Sequence, residues 1–379
     1  MRKSNSPGPL SGVVVALCWT LHVPASAEEP DLRSLYSKPP AEWPAPQLDE
    51  GVELRELGRL PPVPEPGDNP TTPAKVELGK KLFFDPRLSG SRQIACASCH
   101  DPQLGWGDGR RTAIGHDRQL GRRNSQSILN SGYFEPLFWD GRAESLEQQA
   151  LQPIVDPREM HNTLDDAEAS LNAIAGYRDE FRAVFGTENI ERRHIAQALA
   201  AFQRTVVSRK SRFDLFLEGR HDALSDQELE GLHLFRTKAR CLNCHNGPEF
   251  SDQKFHNLGM HFFGRSLEDL GRYEVTGQPE DVGRFRTPGL RDVMFTGPWM
   301  HNGLFEDMDS VLRQYNVGMV RPKPAADQRD NPLFPRTSSL IRPLELDTDE
   351  LAALKAFMEA ISTRPHNVNP PPLPPASSN

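Results

Sequence analysis

The stretch Cys96-Ala97-Ser98-Cys99-His100 recurs later in the chain as Cys241-Leu242-Asn243-Cys244-His245. Cys-x-x-Cys-His is typical of c-type haem attachment, because each thiol forms a thioether to a haem vinyl group and the histidine supplies the proximal imidazole. The alternative, a pair of zinc or redox Cys-x-x-Cys sites, is disfavoured because a histidine follows both cysteine pairs. The sequence therefore predicts two covalently bound haem c groups. Their covalent residues are Cys96, Cys99, Cys241 and Cys244, and their proximal iron ligands are His100 and His245.

The overall composition excludes some classes of protein. The chain has 379 residues, which is enough for two domains. Its formal net charge of -8 gives no basic excess of the kind that indicates a nucleic-acid partner. The fifth cysteine, Cys18, lies in the leader, so no cysteines remain for a disulfide framework.

The first 27 residues have the pattern of a secretory signal peptide. Arg2 and Lys3 precede a short apolar run from Gly12 to Leu21, and Ala25-Ser26-Ala27 matches an A-x-A cleavage site. The apolar run is too short to span a bilayer, which disfavours a retained anchor, and Cys18 lacks the flanks of a lipidated cysteine. We therefore expect a periplasmic protein with its signal peptide removed and without an integral membrane segment after processing.

The rest of the chain is predicted to be mainly α-helical, with long loops. Thr72-Pro73 is expected to begin a helix that ends at Phe84, and Ser225 to Glu228 form a capping box for another helix. Hydrophobic periodicity predicts further helices over residues 144–151, 165–185, 191–208, 310–315 and 348–362. Residues 246–300 are predicted to be mostly loop.

The order helix, pentapeptide, long loop, helix occurs twice, which predicts two cytochrome c-like haem domains in tandem. We expect a signal peptide over residues 1–27 and a proline-rich extended lead, rather than core, over residues 28–71. The haem domains are predicted to span residues 72–215 and 216–363. A disordered proline-rich tail is expected over residues 364–379.

Several stretches outside the pentapeptides resemble one known family. They are Gly115-His116, Gly121-Arg122-Arg123-Asn124-Ser125, Phe138-Trp139-Asp140-Gly141-Arg142-Ala143, Glu159-Met160 and Thr296-Gly297-Pro298-Trp299-Met300-His301-Asn302-Gly303. In their order and spacing they are similar to the bacterial di-haem cytochrome c peroxidases. That family includes the di-haem enzyme of methylamine utilisation, which oxidises tryptophans on a partner protein. The resemblance covers about residues 73–362.

The resemblance implies a peroxidatic haem in the first domain, an electron-transfer haem in the second and one calcium ion between them. Asn124 matches the position from which the family supplies a side-chain ligand to calcium. Thr296 and Pro298 match the positions that supply backbone carbonyls. All three would offer oxygen ligands, which calcium prefers. Without the resemblance, Asn124 would be interpreted as an asparagine that caps a loop.

Four further residues take catalytic or gating roles by the same resemblance. Glu159 matches the acid/base glutamate, which would move a proton between the oxygens of peroxide. Gln149 matches the distal glutamine, and Trp139 matches the tryptophan between the haems, a relay for electrons or holes. His116 matches a histidine that ligates the first haem iron in the oxidised resting peroxidases and leaves it on reduction. Without the resemblance, Glu159 is a loop acid, Trp139 a core aromatic and His116 a loop histidine.

The second haem has a predicted sixth ligand that departs from the commonest pattern. The family often has methionine fourteen residues after the position of His301, but here that residue is Tyr315, as in the methylamine-utilisation branch. Phenolate favours oxidised iron, whereas methionine raises the potential. Three methionines remain alternative ligands and are otherwise ordinary core or loop residues: Met260, Met300 and Met319.

These features predict an oxidoreductase, a periplasmic di-haem peroxidase that reduces hydrogen peroxide to water. A small c-type cytochrome or a cupredoxin would donate the electrons, and a homodimer is compatible with the sequence. One alternative is an oxidative maturation enzyme that oxidises tryptophan on a partner protein, and the other is a non-enzymatic di-haem electron carrier. Glu159 and Gln149 disfavour a simple carrier, Tyr315 favours maturation and His116 favours the peroxidase.

Overall fold

The computed structural model describes residues 1–5, 8 and 31–375. Contacts divide the chain into residues 1–31 and residues 32–379. In the first unit, the described residues form no helix or strand. Most of the predicted signal peptide, with Cys18 and the predicted cleavage site, lies outside the described residues, as do residues 28–30 of the lead and 376–379 of the tail.

The second unit is mainly helical, as predicted. Its helices are α1 (Leu32–Tyr36), α2 (Pro73–Phe84), α3 (Leu146–Val155), α4 (Leu164–Asn172), α5 (Ala175–Phe185), α6 (Arg192–Arg204), α7 (Arg212–Leu217), α8 (Asp226–Arg236), α9 (Tyr273–Thr276), α10 (Met308–Asn316) and α11 (Thr348–Ala360). The strands β1 (Phe255–His256) and β2 (Phe285–Arg286) pair antiparallel. Short turns of 3-10 helix begin both pentapeptides.

Two helix pairs frame the two pentapeptides, and each pair crosses at a glycine. Helix α2 packs on α6, and α8 packs on α11. A Cβ on Gly79 would lie 1.9 Å from the carbonyl oxygen of Ala198, and a Cβ on Gly231 would lie 2.0 Å from that of Ala353. Only glycine permits such close backbone approach. The chain thus contains the same kind of crossing twice. In each crossing, a helix that precedes a Cys-x-x-Cys-His packs on a helix that follows it.

Each helix pair is part of its own hydrophobic core. The first core includes Leu82, Phe83, Trp106, Leu199 and Phe202. The second includes Phe213, Phe235, Phe250, Leu354 and Phe357. The buried side chains therefore cluster around the first pentapeptide in one case and around the second in the other.

The predicted helix starts are found where the sequence indicated. The side chain of Thr72 accepts a hydrogen bond from the backbone N–H of Lys75, and Ser225 accepts one from that of Glu228. The predicted helix over residues 165–185 is instead two helices, α4 and α5, because the chain turns at Ala173 and Ile174. The strand pair within residues 246–300 was not predicted, since two-residue strands have no periodicity to detect.

The proline-rich lead is not a free linker, which corrects the prediction. Tyr36, Trp43 and Leu57 are buried in the second core. The guanidinium of Arg236 pairs with Glu56 and lies over the ring of Trp43. The lead therefore supplies aromatic and charged partners to the second half of the chain, although its composition indicated extended backbone.

The described part of the tail also has a defined position. Residues 365–375 are without helix or strand, but Pro374 is buried and its carbonyl accepts a hydrogen bond from Arg87 at 2.8 Å. Pro374 also packs over Gly176, where a Cβ would lie 2.8 Å from the proline side chain. The expectation of disorder is therefore wrong for this end of the described tail.

Among the described residues, no helix combines the length and apolar character needed to cross a bilayer.

Candidate functional site

One large cavity extends between the two pentapeptides. Its volume is about 790 Å³, and both halves of the chain line it. Cys99 and His100 face it from the first pentapeptide, and Cys241, Cys244 and His245 face it from the second. The cavity is within the size range of cofactor sites, and it brings the two predicted haem positions into one continuous space.

The first pentapeptide is a tight turn that exposes its histidine to the cavity. The backbone N–H groups of Cys99 and His100 both donate to the carbonyl of Cys96, at 3.1 and 3.0 Å. Nδ1 of His100 lies 3.2 Å from the carbonyl oxygen of Trp106. A carbonyl only accepts, so Nδ1 carries the proton and donates. Nε2 of His100 is thus left with a free lone pair.

The second pentapeptide repeats this arrangement. Cys244 and His245 donate their backbone N–H groups to the carbonyl of Cys241, at 3.2 and 2.8 Å. Nδ1 of His245 lies 3.0 Å from the carbonyl oxygen of Phe250 and donates to it. Burial lowers the pKa of His100 and of His245, so both rings are neutral near pH 7. A neutral imidazole, oriented by a backbone carbonyl, is the form that ligates iron.

The cysteines are equally suited to haem attachment. None of the four described cysteines forms a disulfide. Burial raises the pKa of Cys96, Cys99 and Cys241 to about 12, and raises that of Cys244 as well. Two reduced thiols and one free imidazole nitrogen in each pentapeptide are the donor set that a c-type haem requires. The residues present therefore fit two haem groups.

The predicted acid/base glutamate and the predicted distal glutamine lie in the same cavity as His100. Gln149, in α3, and Glu159, in the loop after α3, both line it. Burial raises the pKa of Glu159 to about 7, and the carboxylate of Asp156 adds to the shift while Arg142 opposes it. A carboxyl group with this pKa exchanges its proton readily at neutral pH, which is the property of a general acid or base.

His116 does not line the cavity with these residues. Its backbone N–H donates to the carbonyl of Glu159 at 2.9 Å. Its ring stacks on that of His161, with centroids 4.3 Å apart, and its Nε2 lies 3.3 Å from a carboxylate oxygen of Asp117. The structure thus places the predicted gating histidine against the backbone of the Glu159 loop and outside the cavity lining.

Trp139 and the predicted calcium ligands line the same cavity. Nε1 of Trp139 donates to the carbonyl of Asn124 at 3.0 Å, and the backbone N–H of Asn124 donates to the carbonyl of His301 at 2.8 Å. Asn124, Thr296 and Pro298 all line the cavity. The three residues are therefore on one surface, and Asn124 connects the first half of the chain to the Thr296–His301 segment.

Tyr315 lines the cavity at its second end. It extends from α10, and burial raises the pKa of its phenol, with the thiols of Cys244 and Cys241 adding to the shift. Of the alternative ligands, Met260 and Met300 also line the cavity, whereas Met319 packs behind them. Tyr315 and the three methionines thus occupy one apolar neighbourhood, so the geometry leaves a methionine as an alternative to the tyrosine.

Two residues of the cavity wall were not predicted as site residues from the sequence. Arg286 and His301 are 5% and 6% exposed and line the cavity, and the ring of His301 stacks on Phe285 at 3.6 Å. Neither residue belongs to a pattern that indicates burial. The carbonyls of Trp106 and Phe250 could have been anticipated, since an aromatic residue follows each pentapeptide histidine by five or six positions.

One further group of possible metal ligands occurs among the described residues. Cys244, Asp252 and His256 hold their ligand atoms within 4.8 Å of one another. Nε2 of His256 lies 2.8 Å from Asp252, and Asp252 donates its backbone N–H to the carbonyl of Cys244. Because Cys244 belongs to the second pentapeptide, we interpret this group as a support of that pentapeptide.

The comparisons with known proteins agree with this site. The family described as di-haem cytochrome c peroxidase matches residues 73–222. The methylamine utilization protein MauG of Methylorubrum extorquens is 38% identical over 333 residues, with 87% of this chain and 90% of that protein covered. The cytochrome-c peroxidase IdrP1 of a Pseudomonas species is 38% identical over 335 residues, covering 81% of this chain and 85% of that protein.

A solved structure is similar over the same region. The crystal structure of a MauG-like protein associated with microbial copper homeostasis has a TM-score of 0.71 and 33% identity, and covers 80% of this chain and 93% of that one. The fold and the two haem cofactors of the family therefore extend to this chain, as does oxidoreductase activity. Its relatives include both peroxidases and MauG proteins at equal identity. The chain belongs to the di-haem cytochrome c peroxidase family.

Proposed function

We propose that the protein is a peroxidase that reduces hydrogen peroxide to water with electrons from a small redox protein. The observation that carries the proposal is the position of Glu159. Its carboxyl group shares the cavity with His100 and Gln149, and its pKa is raised to about 7. A partly buried carboxyl poised at neutral pH is of use to a reaction that moves protons, and a simple electron carrier has no need of one.

The proposed roles follow from the chemistry of peroxide. Cleavage of the O–O bond consumes two electrons and two protons and yields two molecules of water. When bound, the haem groups supply the electron-transfer chemistry of the site. Glu159 would take the proton from one peroxide oxygen and deliver it to the other, which leaves as water. The amide of Gln149 would hold the peroxide in the orientation that allows this transfer.

Haem attachment and ligation are proposed from the donor geometry. Cys96 and Cys99 would form the thioethers of the first haem, and Cys241 and Cys244 those of the second. His100 and His245 are supported as proximal ligands because their Nδ1 atoms donate to backbone carbonyls. A calcium ion held by Asn124, Thr296 and Pro298 is supported by the common surface on which these residues lie.

The second haem is proposed as the entry point for electrons. Tyr315 would be its sixth ligand, and Trp139 would relay charge between the two sites. Both side chains line the cavity that connects the pentapeptides. The two separate hydrophobic cores support the two haem domains proposed from the sequence, 72–215 and 216–363. The change from the first core to the second falls between Val206 and Phe213, a few residues before the proposed boundary.

The periplasm is the proposed compartment. The leader pattern that ends at Ala25-Ser26-Ala27 supports export, and so do the Cys-x-x-Cys-His pentapeptides, because c-type haems are attached outside the cytoplasm. A small c-type cytochrome or a cupredoxin in the same compartment would be the electron donor.

A second candidate function is oxidative maturation of a partner protein. Tyr315 favours it, since this residue lines the cavity beside Cys241 and Cys244 where a methionine is more common in peroxidases. The 38% identity to a methylamine utilization protein agrees with this candidate. In that case Trp139 would relay oxidising equivalents from the site to tryptophans on the partner.

One experiment separates the two candidates. The holoenzyme is mixed with hydrogen peroxide and either a reduced small c-type cytochrome or a tryptophan-containing exported protein from a neighbouring gene. A peroxidase oxidises the cytochrome catalytically, at two equivalents per peroxide, and leaves the protein mass unchanged. Mass gain on the protein, with slow cytochrome oxidation, would instead assign the maturation role. A carrier would consume no peroxide with either partner.

A further inference from the structure

Four arginines are buried in the part of the chain that the structure describes, and three of them pair with a carboxylate. Arg204 pairs with Glu147 at 2.8 Å, Arg291 with Asp214 at 2.9 Å, and Arg236 with Glu56. Arg286 is 5% exposed, and no carboxylate of a described residue pairs with it. A buried charge without a counter-ion is strongly disfavoured, so this arginine indicates an anion that the polypeptide does not supply.

The contacts of Arg286 do not compensate its charge. Its Nε lies 3.4 Å from the carbonyl oxygen of Phe138, and its Nη1 lies 3.5 Å from that of Thr287. Both distances exceed the usual range for N–H···O bonds. The guanidinium carbon lies 4.7 Å from the ring centre of Phe134. Most of the five N–H donors of the guanidinium are therefore free to bind an acceptor within the cavity that Arg286 lines.

The side chain nevertheless remains a cation. Burial lowers the pKa of Arg286 to about 10, which leaves it charged at neutral pH. Its backbone is fixed in place, because its N–H donates to the carbonyl of Trp139 at 2.8 Å and β2 pairs with β1. A rigidly held guanidinium that faces a cofactor cavity is suited to bidentate binding of a carboxylate.

We propose that Arg286 binds a propionate carboxylate of the haem at the second pentapeptide. Haem carries its propionates on the edge opposite the vinyl groups, so a haem attached through Cys241 and Cys244 would have a carboxylate available to residues that line the cavity. The proposal requires the haem cofactor of the family and is independent of whether the reaction is peroxide reduction or protein oxidation.

The hydrogen bonds around Arg286 assign it to the second haem. The next residue, Thr287, donates its backbone N–H to Lys254 at 2.9 Å and accepts from Ser251 Oγ at 2.7 Å. Ser251 directly follows Phe250, whose carbonyl orients the ring of His245. The segment that carries Arg286 is thus bonded to the segment that carries the second proximal histidine.

The test measures the reduction potential of each haem against pH in the holoenzyme. In the native protein the paired propionate stays ionised, so it adds no pH dependence to the second haem. In Arg286→Gln the propionate loses its counter-ion and titrates, and the second potential falls as pH rises. Removal of a positive charge also lowers that potential at high pH, since oxidised iron is the more positive state. Arg286→Lys, which keeps the charge, should restore most of the native profile.

Arg284→Gln is the matched control. Arg284 lies in the same segment, but its side chain is 41% exposed and pairs with Asp281 at 3.3 Å. Mass spectrometry first establishes that each variant retains two haems. An unchanged potential profile in Arg286→Gln with both haems bound would overturn the proposal. New pH dependence at the first haem alone would overturn the assignment to the second. If Arg286→Gln does not fold, the Arg286→Lys variant decides. A native pH profile of the second haem's potential in Arg286→Lys, with both haems bound, would support the charge pairing. A potential profile shifted at both haems would contradict the charge pairing.

Discussion

The backbone N–H of His116 donates a hydrogen bond to the carbonyl oxygen of Glu159 at 2.9 Å. The preceding residue, Gly115, approaches the same loop so closely that a Cβ would lie 2.0 Å from the carbonyl oxygen of Arg158. The segment with His116 and the loop with Glu159 are therefore packed as one unit. In this arrangement Glu159 lines the cavity and His116 does not, so ligation of iron by His116 would require a change in the conformation of His116.

The helix crossings give a prediction on stability. Gly231→Ala should lower the free energy of unfolding by about 1–3 kcal/mol or more, because the new Cβ would overlap the carbonyl of Ala353 and the side chain of Phe357. Thermal or denaturant unfolding of the holoprotein measures the change. Gly67→Ala is the control, since nothing lies within 4 Å of a Cβ there. Equal stability of the two variants would show that α8 and α11 do not need the close contact.

Local signals in the sequence were sufficient to predict the helix starts. Thr72 and Ser225 act within one turn of their own helices, so their capping hydrogen bonds depend little on the rest of the fold. The pentapeptides are equally local, and their turns form through the carbonyls of Cys96 and Cys241. These features required no knowledge of distant contacts.

Other features depend on residues far apart in the chain and could not be predicted. The lead has the composition of a linker, and isolated residues such as Tyr36 and Trp43 become core only because α8 lies beside them. Arg286 reads as an ordinary loop arginine, and its burial depends on Phe134 and Phe138. The position of His116 is set by contact with the Glu159 loop. The resemblance to the family indicated a role for His116 but not the conformation in which His116 is found.

Haem attachment is tested by removing one pair of thiols. In a Cys96→Ser, Cys99→Ser variant the first haem loses both thioethers, so intact-protein mass should show a single covalent haem. The matched Cys241→Ser, Cys244→Ser variant should give the same count and retain the other haem. The two variants should differ in their absorption spectra, because His100 and His245 lie in different surroundings. Two covalent haems in either variant would contradict the attachment sites.

The ligand of the second haem is tested at Tyr315. Tyr315→Met should raise the potential of that haem and change its absorption and paramagnetic resonance spectra, because thioether sulfur favours reduced iron relative to phenolate. Tyr273→Phe, in α9 and outside the cavity lining, is the control and should change neither. If the Tyr315 variant keeps the native spectrum and potential, another residue is the ligand, and Met260 and Met300 would be examined next.

The raised pKa of Glu159 predicts a pH dependence. Turnover needs the carboxylate as proton acceptor, so kcat/KM for peroxide should rise with pH and level off above about 7. The free energy of unfolding should change with pH in the opposite direction. Since the folded state holds this proton more tightly than the unfolded state, the stabilisation is full below the ordinary glutamate pKa of 4.5 and is lost as pH rises through about 7. Parallel pH series of peroxide kinetics and thermal unfolding measure both trends. A flat kinetic profile across this range would exclude Glu159 as the titrating group.

The role of Glu159 in peroxide reduction is tested most directly by comparing peroxide turnover by the native holoenzyme and by Glu159→Gln, with a reduced small c-type cytochrome as donor. Loss of the proton acceptor should slow turnover by about 10²- to 10⁴-fold while both haems remain bound. Glu144→Gln, an exposed glutamate before α3, should leave the rate unchanged. Native-like turnover in Glu159→Gln would exclude Glu159 as the proton acceptor. No peroxide consumption by the native holoenzyme in any redox state would exclude peroxidase activity.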